Sequence, residues 1–224
     1  MEHELIDRLV RDAAPVRPLA SPAVRLARWT LAAAVCLAAG VAWVQLRHDL
    51  AETMWTASFL VQACLLLGTA LLAASAALVV GVPGAEATLA MRTLPLLAIA
   101  AWAAWLVAAI VAQPGESRVW WPTPAPQCGV DITLLGLVPG LLLWSLVRRA
   151  APLRPAWTGL LAMLTAAAVG AVGTQLICAN DDAAHLLLWH FVPVMVLTGA
   201  GIHLGRRFLR WPVRPLPEAP RADV

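Results

Sequence analysis

Six residues of this chain are of types and spacings that could do chemistry together: Cys128, Cys178, Asp181, Asp182, His185 and His190. Thiolate sulfur and neutral imidazole nitrogen are the donors that soft and borderline metal ions take, and a pair of thiols can also be oxidised reversibly. The run C-A-N-D-D-A-A-H-L-L-L-W-H from Cys178 to His190 places His185 three and four residues after the two aspartates, so the three can share one helical face. Cys128 stands fifty residues earlier, behind W-W-P-T-P-A-P-Q. The residues alone leave three readings of the two thiols. One is a structural disulfide. Another is a responsive pair, oxidised or bound by a soft metal with help from His185, His190, Asp181 or Asp182. The last is two unpaired thiols. Which metal, if any, is unknown at this level. Cys36 and Cys64 fall inside apolar runs, where a thiol acts as a small filler.

Other chemistries find no support. There is no G-x-x-x-x-G-K loop for phosphates, no dinucleotide fingerprint and no H-E-x-x-H zinc motif. The expectation is that the chain is not an enzyme and carries no cofactor. A membrane thiol oxidoreductase linked to a quinone is the alternative, but such enzymes use closely spaced cysteine pairs, and Cys128 and Cys178 are not one.

The elements that must position these residues are apolar. With 61% hydrophobic and 13% charged residues, 224 residues read as one polytopic membrane domain rather than a soluble one. Six runs are close to the length that crosses a bilayer: Trp29 to Leu46, Trp55 to Val82, Leu94 to Ala112, Val130 to Val147, Trp157 to Ile177 and Ala183 to Leu204. The fold expected is therefore an all-α integral membrane protein with six transmembrane helices. Residues 1-28 form a polar tail, 29-204 the membrane domain and 205-224 an Arg/Pro-rich second tail. The first run reads as a retained span rather than a signal peptide, since no small-residue cleavage site follows it. The fourth is the weakest, with Asp131 at one end and Pro139-Gly140 inside. Trp29, Trp157 and Trp211 are expected at one interface, and Trp43, Trp55, Trp120 and Trp121 at the other.

Charge orients these spans. All 16 basic residues are arginines, and with the N-terminus in the cytoplasm fourteen lie inside against Arg47 and Arg118 outside. Both termini are then cytoplasmic, and Cys128 and Cys178 fall outside, in the periplasm if the membrane is a bacterial inner membrane. The basic charge follows loop orientation and does not argue for direct nucleic-acid binding. No acidic or basic residue sits mid-span, which speaks against a transporter. Gln62, Thr69, Ser75, Ser145, Thr165, Gln175 and Thr198 are expected to join helices through close packing and hydrogen bonds.

The N-terminal tail carries its own pattern. Leu5, Ile6, Leu9 and Val10 recur at helical spacing, with Glu4 and Arg8, and Asp7 and Arg11, four residues apart. Pro15 ends the helix. Its polar face is net acidic, so a basic protein groove suits it better than an anionic lipid surface. The segment A-A-P-V-R-P, containing Pro15, Arg17 and Pro18, is echoed by A-A-P-L-R-P at residues 150 to 155, also on the cytoplasmic side.

These features together resemble the NrsF family, membrane-bound negative regulators of sigma-F-type extracytoplasmic-function sigma factors. The likeness rests on L-I-D-R-L-V-R-D-A-A-P-V-R-P, six spans, a mid-chain outer cysteine, R-R-A-A-P-L-R-P-A and, most specifically, the Cys178 to His190 stretch, and it runs from Leu5 to Trp211. The resemblance implies an anti-sigma factor that holds its sigma factor at the membrane and releases it on heavy-metal or oxidant stress. It implies Cys128 and Cys178 as the sensor, with Asp181, Asp182, His185 and His190 in support. Partner contacts are then expected at Glu4, Leu5, Ile6, Asp7, Leu9, Val10, Asp12, Pro15, Arg17 and Pro18. The lipid bilayer is the other partner, and the oligomeric state, a homo-oligomer included, stays open.

Overall fold

The computed structural model describes residues 4, 6–7, 10–11, 19–84, 88–114 and 122–210. Among them every element is helical. In chain order these are α1 (Pro22–Val44), a single turn α2 (Leu50–Thr53), α3 (Ala57–Val80), α4 (Leu89–Ala112), α5 (Pro126–Arg148), α6 (Pro155–Ile177), α7 (Ala183–Leu186), a π turn (Leu187–Phe191) and α8 (Val192–Phe208). Taken with α7, the π turn and α8 as one unit, six helices are long and apolar enough to cross a membrane.

Local chemistry sets the ends. The Ser21, Thr56 and Thr88 hydroxyls accept from the N–H groups of Val24, Phe59 and Met91, which caps α1, α3 and α4. Proline opens α1, α5 and α6, where its missing N–H leaves no bond unmade. These signals start the first helix at Pro22, seven residues before the apolar run. Residues 22–28 of the expected tail are therefore the first turns of a span, and α8 likewise takes the first residues of the expected C-terminal tail. The fourth span is a continuous 23-residue helix through Pro139.

The core is built on α6. Sixteen of its 23 residues are buried, against four of 23 in α1, and α3, α5 and α8 pack around it. Small residues permit this. A Cβ on Gly170 would strike the Ile132 carbonyl of α5, and one on Gly159 would strike the Gly201 carbonyl of α8. Such close backbone approach is how helices associate where lipid removes most of the hydrophobic driving force.

Polar side chains join the bundle in fewer places than the sequence suggests. The Trp102 indole donates to Gln62 Oε1 at 3.3 Å, linking α4 to α3, and Gln175 Nε2 donates to the Phe59 carbonyl at 3.1 Å, linking α6 to α3. The other five expected links turn back into their own helices. Thr69, Thr165 and Thr198 bond carbonyls four residues earlier, and Ser75 and Ser145 carbonyls three earlier. A hydroxyl on a short side chain reaches its own backbone before it reaches a neighbouring helix.

Trp29 also departs from expectation. It is buried, and its indole donates to the Pro139 carbonyl at 3.0 Å, so it fastens α1 to α5 instead of anchoring at an interface. Trp43 and Trp55 are exposed as an interfacial belt requires. Trp120, Trp121 and Trp211 lie outside the described residues.

Candidate functional site

One end of the bundle gathers the C-terminus of α1, the N-terminus of α5, the loop after α6 and the start of the last span. Cys128 is in the first turn of α5, directly after Pro126 opens the helix. Cys178 is the residue on which α6 ends. The chain then runs through Ala179, Asn180 and Asp181 to Asp182, whose carboxylate accepts the His185 N–H at 3.4 Å and caps α7.

Pro193 shapes the start of the last span. It has no N–H to give the Trp189 carbonyl four residues earlier, and the helix widens into the π turn just ahead of it. In a regular α-helix residues five apart diverge by about 140°. A turn with i→i+5 bonds holds more residues and brings them toward one face, and the His185 and His190 rings lie 5.5 Å apart edge to face. The proline and the five-residue histidine spacing are the only sequence signals of this alignment.

The result is a largely buried cluster of Cys128, Cys178, His185 and His190, each offering a donor atom within 4.8 Å of the others. The sulfurs are 3.8 Å apart and unlinked, and His185 Nε2 lies 3.6 Å from Cys128 Sγ and 3.5 Å from Cys178 Sγ. These separations can be compared with a tetrahedral ion. Metal–sulfur bonds of ~2.3 Å and metal–nitrogen bonds of ~2.0–2.1 Å require S···S edges of ~3.8 Å and S···N edges of ~3.6 Å. The three measured edges match. His190 Nε2 and His185 Nδ1 are buried with no protein partner, so one imidazole nitrogen is free to ligate and another to bond an outer group. A hydrogen bond shared with Cys128, in which either sulfur can donate, and a second with His190 lower the Cys178 thiol below the ordinary thiol range against the opposing effect of burial. An ionised sulfur is both the ligand and the nucleophile that metal binding and disulfide formation need.

The two aspartates stand outside the cluster. Asp181 accepts two bonds from Arg47, at 2.8 and 2.7 Å, and Asp182 accepts from the Gln113 amide at 3.3 Å besides capping α7. Their part is to hold the loop that holds Cys178. Arg47 is a site residue that reading the sequence misses. As an arginine that stands alone in its connection, with Asp49 two residues on, it does carry a signal.

At the N-terminus, Glu4, Ile6, Asp7, Val10 and Arg11 are helical and exposed. Arg11 Nε donates to the Asp7 backbone carbonyl at 3.1 Å. Leu5, Leu9, Asp12, Pro15, Arg17 and Pro18 lie outside the described residues.

Comparison with known proteins bears on what this arrangement serves. No solved structure matches the chain. A protein of Azospira oryzae described as a probable anti-sigma-F factor NrsF is 29% identical over 215 residues, which cover 93% of this chain and 98% of that protein. Residues 9–211 match the family described as negative regulator of sigma F, a span that takes in all six long helices and all four donors of the cluster. A bundle of apolar helices with a thiol–imidazole centre at one end is thus the form this family takes here, and the chain belongs to the negative regulators of sigma F.

Proposed function

We propose that this chain is a membrane-embedded anti-sigma factor that holds an extracytoplasmic-function sigma factor at the cytoplasmic face of a bacterial inner membrane. Release follows a change of state at Cys128 and Cys178. The observation that carries the sensing half is that Cys128, Cys178 and His185 lie at tetrahedral edge lengths from one another, with His190 offering a fourth donor within 4.8 Å of the other three. Four such donors suit a d¹⁰ ion of soft or borderline character, held by Cys128, Cys178, His185 and His190. When bound, the ion would replace thiol protons and bring positive charge into a buried site. The same two sulfurs can instead be joined by an oxidant.

The arginine distribution supports the orientation. Fourteen arginines on one side against two on the other favour a periplasmic cluster and two cytoplasmic termini. The N-terminal segment supports the docking half. Ile6 and Val10 are exposed on described helical backbone, and Glu4 and Asp7 accompany them. In the sequence Leu5 and Leu9 fall at helical spacing with Ile6 and Val10, and Asp12 adds acidic charge. Sigma-factor surfaces that meet DNA are basic, so an acidic helix is complementary to them. Pro15, Arg17 and Pro18, with the echoing loop at residues 150 to 155, continue the docking surface.

Deleting the gene and sequencing RNA defines the set of transcripts the chain represses. Cells carrying Leu5→Asp with Leu9→Asp should express that set constitutively. Cells carrying Cys128→Ser with Cys178→Ser should repress it and fail to respond to Cd²⁺ or diamide. Unchanged repression in the first strain, or an intact response in the second, refutes the corresponding half.

A further inference from the structure

We infer that α1 is the element that carries a change at the thiol pair to the N-terminal segment, with Arg47 and Trp29 as the positioning residues that make it do so. The inference rests on the anti-sigma reading above and adds the route through the protein.

The Arg47 guanidinium is buried, with only 1% of its side chain exposed, and brackets Cys178 from both sides. Its backbone N–H donates to the Leu176 carbonyl at 3.1 Å, two residues before the cysteine. Its Nη2 reaches the Ala179 carbonyl at 3.4 Å, one residue after, and its two terminal nitrogens grip the Asp181 carboxylate. Asp49 holds the other edge of the guanidinium at 2.7 Å through Nε and Nη2. Such a fork to two carboxylates fixes the group's position as well as its charge. Arg47 lies three residues past the end of α1, so α1 and the Cys178 loop move together.

Along its length α1 packs most on α5, which carries the other cysteine, and less on α6 and α3. Trp29 donates to the Pro139 carbonyl and Arg25 Nη2 to the Leu146 carbonyl at 2.7 Å, both on α5, the helix that carries Cys128 in its first turn. Only Arg25, Trp29, Ala33 and Val41 of α1 are buried, a single stripe at four-residue spacing. With so little packing, these side-chain bonds govern where the helix sits. α1 therefore spans the two sulfur-bearing parts, tied to one at its end and to the other along its length.

Oxidation changes the separation of those parts. Forming one S–S bond sends two electrons to an oxidant such as diamide, which takes up two protons, from the thiol still protonated and from solvent, and becomes the hydrazine. The sulfurs close from 3.8 Å to ~2.05 Å. The part of this closure that rotation of the two side chains does not supply draws the loop toward α5 and shears α1, which is bonded to both. Its other end is capped by Ser21, on the N-terminal side of the helix. Metal binding at edges already of tetrahedral length demands far less movement, so the oxidant is the probe that isolates this route.

The experiment uses the full chain in native membranes, with Cys36→Ala and Cys64→Ala so that only the pair is counted. Three variants, Arg47→Gln, Asp181→Asn and Trp29→Phe, are compared with this background. Mass-tagged maleimide counts free thiols after diamide, trypsin reports the cleavage rate at the N-terminal arginines, and RNA measures the repressed transcript set. The background should lose two thiols, change its cleavage rate at least threefold and derepress. The variants should lose two thiols equally while cleavage and transcripts stay fixed. Trp29→Phe is decisive, because Trp29 lies far along α1 from the sulfurs and keeps its bulk as phenylalanine. Variants that respond fully, or that no longer form the disulfide, overturn the α1 route. If the parent chain closes its pair without derepression under diamide, the route also falls. Failure to derepress under both diamide and Cd²⁺ takes the anti-sigma sensing role with it.

Discussion

Replacing Gly170 with alanine tests whether the α5–α6 crossing sets the geometry of the centre. The added Cβ would overlap the Ile132 carbonyl oxygen and lie 2.8 Å from its carbon. Carbon atoms rest at ~3.5–4.0 Å, so the two helices must part by at least ~0.7 Å at this point. Ile132 is one turn from Cys128 on α5, and Gly170 is two turns from Cys178 on α6, so the wedge acts on the separation of the sulfurs. Overpacking of this kind destabilises by ~1–3 kcal/mol. A donor set displaced by more than ~0.5 Å also loses much of its preorganisation. Cd²⁺ affinity of the purified full chain, measured by competition with a chromophoric chelator, should therefore fall at least tenfold, equivalent to ~1.4 kcal/mol. Gly199→Ala is the matched control. A Cβ there meets nothing within 4 Å, and the same exchange should leave affinity unchanged. Equal affinity for Gly170→Ala and the parent would refute the claim that this crossing holds the cluster to tetrahedral edges.

Three other contacts give outcomes of their own. His190→Ala removes one of four donors and should weaken Cd²⁺ binding at least tenfold, whereas Asp182→Asn, outside the cluster, should change it less than threefold; equal effects would argue against His190 as a ligand. Gln62 and Trp102 should show a coupling of about 0.6–1.7 kcal/mol in a double-mutant cycle of unfolding in bicelles, with Gln62→Leu and Trp102→Phe as the single changes, and additivity would deny that their hydrogen bond contributes. Hydrogen bonding from Arg47 holds the Asp49 carboxyl well below the usual carboxylate range. A depressed folded value means its contribution is fully present above the unfolded value of ~3.9 and lost as pH falls through the folded one. Amide exchange at Arg47, corrected for its intrinsic pH dependence, should stay constant from pH 7 to about 4.5, and loss of protection near pH 5 would contradict the clamp.

How far the chain can be read depends on the kind of feature. The six spans are legible because hydropathy over some twenty residues is a local property, but the caps at Ser21, Thr56 and Thr88 that set three of their starts do not show in the apolar runs. The thiols and histidines are visible as residue types. Their grouping comes from a family resemblance, since fifty residues separate Cys128 from Cys178 and no spacing rule joins them. Trp29 is misplaced from sequence because an indole near a helix end has the same pattern whether it faces lipid or a neighbouring carbonyl. Only the packing of α1 against α5 at Pro139 decides between them. Helical phase assigns the aspartates to the cluster, yet Asp181 precedes the helix and is claimed by Arg47.

By itself, then, the order of residues determined that the described elements are all helical, with six helices among them fit to cross a membrane, and it set how arginine is distributed between their ends. Those properties are sums over neighbouring residues, so folding does not alter them. Tertiary structure decided which four of six candidate donors meet, how a π turn brings His185 over His190, and how Arg47 binds α1 to the Cys178 loop 134 residues away. Such distances depend on where helices cross and how closely their backbones approach. Those crossings come from the fit of all the helix surfaces at once, which no local pattern records.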